Sequence, residues 1–324
     1  MTANKKIHWG ILSTGAIADK FCHDMPFVKN GQLTAVAARK LENAQAFAQK
    51  HNIKQAYGGY EALFADPNID IIYIATPHNF HFEQAKLALK SGKSVLCEKP
   101  ITVSSLQCEE LQKLAAQKNL FLMEAMWTYF LPAIRTAKQW VDEGRIGKVK
   151  HIKADFGYAV PFEPNGRMYN RDLAGGCLFD MGIYPLAIAQ LFNPGPLSDA
   201  CIKVQYSKSG VEDDLVILAK ANEVILSLAT SFRCRLQNSA QIIGEKGYIV
   251  IPNFWRANEC TLHSVDKTID TFEDSSPCNG LSYEAQAVGE MLLSNKKEHP
   301  TMPLKTSLLL QNQMDYLRSL YHEN

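Results

Sequence analysis

The chain has 324 residues, carries 34 Lys+Arg against 33 Asp+Glu for a formal charge of +1, and is 46% hydrophobic and 21% charged. That balance excludes a disordered chain and a nucleic-acid partner drawn by an overall basic field, and no Lys/Arg block supplies a local one. The length exceeds one ordinary domain and predicts two.

Taken from the start, Ile7–Leu12 is too short and too soon interrupted by Ser13 and Thr14 to serve as a secretory apolar region. The sequence has no run of 18 apolar residues, so no membrane span and no membrane partner are predicted. Ile7–Leu12, Gln32–Ala38, Ile69–Thr76, Ser94–Cys97 and Leu120–Met123 read as strands, being short, β-branched and bounded by turn residues. Between them Ala16–Met25, Leu41–His51, Phe80–Ser91 and Ser104–Lys118 read as helices. This alternation predicts an α/β Rossmann domain, a parallel doubly wound sheet with helices on both faces.

After Trp127 the grammar changes. A helix over Pro132–Glu143 precedes strand-like stretches at Val149–Tyr158, Ala200–Tyr206, Leu215–Ala221, Val224–Phe232, Ala240–Ile243, Tyr248–Ile251 and Thr261–Val265. Ala221-Asn222-Glu223 and Gly244-Glu245-Lys246-Gly247 are hairpin signals. Helices near Tyr283–Asn295 and Leu304–His322 close the chain. The expectation is an α+β C-terminal domain with an open, mostly antiparallel sheet, giving residues 1–127 to dinucleotide binding and 128–324 to substrate binding and oligomerisation. Such a sheet with one uncovered face should pair with a copy of itself, as a homodimer or a higher homo-oligomer. The eight dispersed cysteines lack zinc-knuckle spacing and read as buried free thiols of a cytoplasmic protein.

The first strand runs through Ser13-Thr14-Gly15-Ala16-Ile17-Ala18 into a helix, the context of a dinucleotide fingerprint. Gly15 permits close approach of backbone to a pyrophosphate, Ala18 permits close helix-on-strand packing, and the N–H groups at the helix start hold the anion. Ser13 departs from the glycine usual at the first position. A serine-rich turn that only caps a helix is the bland alternative. The second strand ends at Ala38-Arg39-Lys40, where an NAD site ordinarily offers an acid to the ribose diol. A guanidinium and an ammonium suit a 2′-phosphate instead, which predicts NADP, with NAD as the other candidate cofactor.

Three more segments fall where later strands reach the carboxyl edge of the sheet: Thr76-Pro77-His78-Asn79-Phe80-His81, Cys97-Glu98-Lys99-Pro100 and Met123-Glu124-Ala125-Met126-Trp127. A fourth, Gly175-Gly176-Cys177-Leu178-Phe179-Asp180-Met181-Gly182-Ile183-Tyr184, lies in the second half. Together with the opening turn they resemble the glucose–fructose oxidoreductase/inositol dehydrogenase/rhizopine-catabolism (Gfo/Idh/MocA) family, whose Glu-Lys-Pro tripeptide stands here as Glu98-Lys99-Pro100. Within it the sequence is similar to the branch of dimeric dihydrodiol dehydrogenases and NADP-dependent D-xylose 1-dehydrogenases, which shares Tyr rather than His at the position of Tyr184.

The resemblance implies a nicotinamide-dependent oxidoreductase whose small-molecule substrate is an aldose or other sugar, a cyclic polyol or a trans-dihydrodiol, with its site between the two domains. Cofactor contacts are expected from Ser13, Thr14, Gly15, Ala16, Ile17, Ala38, Arg39, Lys40, Thr76, Pro77, Asn79, His81, Glu98, Lys99 and Trp127. Substrate contacts are expected from Trp127, Phe156, Tyr158, Arg167, Arg171 and Asp180. No metal site is expected, since His78 and His81 lack a third ligand.

Oxidising a carbinol requires removal of the O–H proton as hydride leaves the same carbon. Bringing a tyrosine from about 10 to near neutrality needs about 4 kcal/mol, roughly what one cation ~4 Å away supplies at an effective dielectric of about 20. Tyr184 is therefore expected as acid/base, Lys99 as the cation that tunes it or as the base itself, and Asp180 as the group that orients the sugar or the lysine. The bland readings, a surface turn for Lys99 and a core edge for Tyr184, remain open here. So do two other functions, a nicotinamide-dependent glycosidase and a non-catalytic sugar or cofactor sensor.

Overall fold

A computed structural model describes residues 5–265 and 267–322. By internal contacts the chain divides into two compact units. The first comprises the chain through Thr102, Leu106–Trp127 and Pro277–Ser307; the second comprises Val103–Ser105, Thr128–Ser276 and the chain from Leu308 onward.

The first unit is built on six strands, β1 (Ile7–Leu12), β2 (Gly31–Ala38), β3 (Gln55–Gly58), β4 (Ile71–Ile74), β5 (Ser94–Glu98) and β6 (Leu122–Ala125). Its helices are α1 (Ala16–Asp24), α2 (Leu41–His51), α3 (Glu61–Ala65), α4 (His81–Lys90) and α5 (Ser105–Lys118). The strands pair in parallel in the order β3-β2-β1-β4-β5-β6. This is the dinucleotide-binding order, whose crevice opens at the carboxyl ends where the winding reverses, between β1 and β4. Strands covered on both faces are mostly apolar, and β4 and β5 are buried at every position. The β3/α3 pair escapes the sequence reading because β3 is a four-residue edge strand, Gln-Ala-Tyr-Gly, without an apolar run.

The second unit contains α6 (Pro132–Asp142), β7 (Val149–Gly157), α7 (Ile183–Phe192), β8 (Ser198–Tyr206), β9 (Glu212–Ala221), β10 (Val224–Ser231), β11 (Ser239–Gly244), β12 (Tyr248–Pro252), β13 (Glu259–His263) and β14 (Thr268–Glu273). The sheet order is β14-β13-β12-β11-β7-β10-β9-β8, antiparallel except for the β7/β10 pair. Both hairpin signals form their hairpins: β9 and β10 join through Asn222-Glu223, and β11 and β12 through residues 245–247. Asn222 takes the left-handed conformation (φ 51°) that such a turn requires. β14 is a further strand absent from the sequence reading.

α8 (Leu281–Leu293) and α9 (Leu304–His322) complete the chain. α8 packs on α1, β1 and β2 in the first unit, so the segment read above as part of the second half returns to the first. Asp24 fixes it there: its carboxylate accepts from the backbone N–H groups of Asn279 (2.8 Å) and Ser282 (3.1 Å).

Arg171–Phe192 is, among the described residues, apolar and long enough by composition to cross a bilayer, but it holds no unbroken run of 18 apolar residues and most of its apolar window is buried. One expectation needs correction. Five of the eight cysteines are buried free thiols, whereas Cys201 and Cys234 are exposed, the former on the outward-facing edge strand β8.

Candidate active site

In the first unit, β1 delivers the nucleotide turn. Ser13 stands at φ 109°, a conformation that costs an L-residue about 1–3 kcal/mol and explains why glycine is usual there. Its hydroxyl accepts from Gly15 N–H at 3.2 Å, compensating part of that cost. Gly15 caps α1 and is exposed. A Cβ added there would meet nothing nearer than Ser13 Oγ at 3.5 Å, so the chain's own packing does not demand glycine and the space is open to a ligand. Thr14, Ala16 and Ile17 surround this helix start, and Ala18 is fully buried against the sheet, as its position in the fingerprint requires.

β2 ends in buried Ala38 followed by exposed Arg39 and Lys40, with Lys40 capping α2. The Arg39 cation opposes the rise that burial imposes on the neighbouring Tyr60 phenol. After β4, Thr76 Oγ1 donates to Gln84 Oε1 at 2.6 Å, and Pro77 leads in extended conformation into a 3₁₀ turn holding Asn79. Asn79 Oδ1 is buried with no partner among the described residues, an acceptor open to a ligand N–H or O–H. Gly15, Asn79 and the cations after β2 together fit a nicotinamide dinucleotide at the carboxyl ends of these strands.

His81, expected as a cofactor contact, is only 1% exposed. Its Nδ1 faces Pro100 O at 2.8 Å and its Nε2 faces Thr76 O at 2.8 Å, so the imidazole joins two backbone segments. Glu98, at the end of β5, is also turned inward: Oε1 accepts from Tyr73 O–H, and Oε2 from the Lys99 backbone N–H at 3.2 Å. Lys99 itself is half-buried, and the Lys99-Pro100 bond is cis. Cys97, two residues earlier, is fully buried, and burial pushes its thiol far above the ordinary range. Trp127 opens a 3₁₀ turn after β6 and is 7% exposed.

In the second unit the candidate residues form a different kind of cluster. Period-2 alternation puts Phe156 and Tyr158 on one face of the chain at the end of β7. Phe156 is the hub: it stacks on Trp255 (centroids 5.0 Å apart, 29°) and meets Tyr184 edge-on at 5.4 Å and Tyr158 at 5.7 Å. Tyr184, the second residue of α7, also approaches Trp255 at 6.3 Å. Such edge-to-face and offset pairs are favoured by the ring quadrupoles and fix each other's orientation.

Asp180 lies in a π-helical turn, Leu178–Gly182, that leads directly into α7. Turns of this kind recur at functional sites because they re-aim side chains within a helix. Asp180 Oδ1 accepts from Arg167 Nη1 at 2.7 Å, so these two expected substrate residues are brought together as an ion pair. Arg171 is exposed at the start of a separate 3₁₀ turn. The turn before Asp180 rests on Glu212: its Oε1 accepts from Leu178 N–H at 3.4 Å, and a Cβ on Gly176 (φ 124°) would come within 2.3 Å of the same oxygen. Burial pushes the Glu212 carboxyl up to about 7.

Three residues at these places are given no site role by the sequence reading. Trp255 sits in a 3₁₀ turn remote in sequence from every motif. Glu212 opens a long strand and carries no local pattern. Glu124 does carry a signal, a lone acid in the apolar run Leu122-Met123-Glu124-Ala125-Met126, and it is fully buried.

The parallel sheet with a turn and helix start at its switch point is the architecture of a dinucleotide-binding domain. Residues 7–126 match the oxidoreductase family with the NAD-binding Rossmann fold, and residues 134–250 match the GFO/IDH/MocA C-terminal domain. The chain is 37% identical over 321 residues to a trans-1,2-dihydrobenzene-1,2-diol dehydrogenase of Xenopus laevis (95% of this chain, 96% of that protein). It is 35% identical over 322 residues to the Homo sapiens protein of the same name (96% of each). In three dimensions it is similar to KijD10, a 3-ketoreductase from Actinomadura kijaniata in complex with NADP and TDP-benzene, at 25% identity, TM-score 0.86 and coverage of 97% and 98% of the two chains. An aldose–aldose oxidoreductase from Caulobacter crescentus shares the fold at TM-score 0.88 and 21% identity, covering 98% of this chain and 97% of that one. The chain belongs to the GFO/IDH/MocA oxidoreductase family and is an NAD(P)-dependent dehydrogenase acting on CH–OH groups.

Proposed function

We propose that the protein is an NADP-dependent dehydrogenase of a ring-borne carbinol, with a trans-dihydrodiol as the substrate class. The observation that carries the substrate class is the aromatic cluster of Phe156, Tyr158 and Trp255 around Tyr184, flat apolar surface beside a phenol O–H. A cyclohexadiene ring matches such surface better than a fully hydroxylated sugar. The names of the relatives at 35–37% identity support the same class.

When bound, the nicotinamide supplies the two-electron hydride acceptor or donor. The chain does the rest. Arg39 and Lys40 take the 2′-phosphate, and the start of α1 takes the pyrophosphate. Tyr184 and Lys99 are the two candidates for exchanging the carbinol proton, and Asp180, held by Arg167, orients a substrate hydroxyl. Phe156, Tyr158 and Trp255 keep water from the Tyr184 phenol.

Reduced-nicotinamide absorbance, followed with trans-dihydrodiols, pentoses and inositols and with NADP and NAD in parallel, tests this reading. Turnover of a dihydrodiol with NADP is expected to exceed every other combination; a preference for inositols or for NAD overturns the corresponding part. Tyr184→Phe and Lys99→Met are each expected to lower kcat by about a hundredfold or more. A variant that keeps its turnover loses its assigned role.

The outer face of the second sheet supports a homodimer. Val216, Leu218 and Ile225, on adjacent strands, are 45%, 51% and 47% exposed, while the alternate positions Leu215 and Ile217 are buried. Apolar side chains on an open sheet face are the feature a second copy would cover. Sedimentation of Leu218→Lys is the check: a monomer is expected, and an unchanged oligomer removes this face from the interface.

A further inference from the structure

Three successive residues at the end of β5 have a main-chain polar atom held by a buried side chain. Lys99 N–H donates to Glu98 Oε2 at 3.2 Å, Pro100 O faces His81 Nδ1 at 2.8 Å, and Ile101 N–H donates to Glu124 Oε1 at 2.9 Å. The third of these is the costliest. Glu124 lies on β6, opposite Cys97 of β5, in a strand buried at every residue. An apolar side chain of similar size would pack there without the penalty of burying a carboxyl group.

We propose that Glu124 is a positioning residue for Lys99, its carboxyl oxygen fixing the exit of the Lys99-Pro100-Ile101 turn so that the lysine leaves the sheet edge in one direction. The proposal rests on the catalytic role given to Lys99 above. Without the Glu124 acceptor, Ile101 N–H is buried and unpaired, and the turn must shift to satisfy it. Small displacements of a reacting group cost rate more than they cost binding. The groups assigned to the 2′-phosphate and the pyrophosphate, Arg39, Lys40 and the start of α1, lie away from this turn, so cofactor affinity should follow far less than turnover.

The ionisable groups that face Glu124 are Lys99, Glu98 and Cys97 on β5 and its turn and Cys108 on α5, with the Ser307 hydroxyl beside it. Burial pushes the carboxyl up to about 7 against the pull of Ile101 N–H, Ser307 and the Lys99 cation. An N–H bond to a carboxylate is shorter and stronger than one to a carboxylic acid, so the grip on Ile101 tightens as pH rises through neutrality.

The test compares E124Q, which keeps an oxygen for Ile101 N–H, with E124L, which does not. E124L is expected to lose about tenfold or more in kcat while its NADP dissociation constant stays within about twofold, and E124Q to stay within about threefold of the wild type in kcat. E124L at wild-type turnover, or E124Q falling as far as E124L, overturns the proposal. A measurement on the wild type guards against a variant that does not fold: the Ile101 amide resonance of ¹⁵N-isoleucine-labelled protein should titrate with a midpoint near 7, and a flat response overturns the contact. Lys99→Met turning over at the wild-type rate would instead remove the role of Lys99 and leave the amide titration intact.

Discussion

The two units hold their chemistry by different means. In the first, backbone does the holding: the candidate residues follow strand ends, and the Lys99 turn is fixed by main-chain N–H groups donating to Glu98 and Glu124 and by a main-chain carbonyl facing His81. In the second, side chains hold one another: Tyr184 is oriented by ring contacts with Phe156 and Trp255, contributed by elements nearly thirty and more than seventy positions away in sequence. Hydrogen bonds to backbone define a position sharply and contribute about 1 kcal/mol each, whereas a packed aromatic contributes several but yields by repacking. They share one device, a glutamate buried beneath the motif, Glu124 in one unit and Glu212 in the other.

The comparison breaks most visibly at the aromatic hub. Phe156→Ala is expected to cost about 3–5 kcal/mol of stability, read in urea, and to lower kcat because Tyr184 loses its edge contact. A loss below about 1 kcal/mol would mean that the cluster repacks freely and does not fix the phenol. The shared glutamates come next. Each has a folded-state value of about 7, above the ordinary glutamate range, so between about pH 4.5 and 7 the folded chain retains protons that the unfolded chain has released. Stability from these groups is full below that window and is lost as pH rises through it, by at most about 3 kcal/mol per residue. Urea midpoints should therefore fall from pH 5 to pH 8, less steeply in Glu212→Gln; a rise over that interval contradicts the burial argument.

Smaller effects sharpen the backbone side of the contrast. Arg39→Asp is expected to reverse the sign at the 2′-phosphate and cut the NADP-over-NAD ratio of kcat/KM by about tenfold or more, with no change in stability. An unchanged ratio would leave the cofactor choice to Lys40 and the turn. Ser13→Gly removes a strained φ and a hydroxyl contact together, and a net stabilisation of about 1 kcal/mol or less is expected in thermal unfolding. A marked destabilisation would show that the Ser13–Gly15 bond outweighs the strain.

Legibility in the sequence followed the same divide. Alternation of short β-branched runs with helices marked the parallel sheet, and local pattern put Ser13, Arg39, Thr76 and Lys99 just past strand ends, as the structure has them. β3 and β14 were hidden by short length and polar composition. The parallel pairing of β7 with β10 has no local signal, since the two strands are far apart in the chain. Trp255 joins Tyr184 only through that nonlocal sheet. The inward turn of His81 depends on the Pro100 carbonyl, nineteen positions on, which no spacing rule connects to it.

Cys97 gives the molecule a built-in clock. Its thiol is sealed within β5 and held far from the reactive thiolate form, whereas Cys201 and Cys234 stand open to solvent. An alkylating reagent should consume the two exposed thiols at once and reach Cys97 only as often as that strand opens. The alkylation rate of Cys97 itself, read on its own peptide, would then count local openings of the segment that ends in Lys99, reporting breathing of the protein rather than chemistry of the thiol.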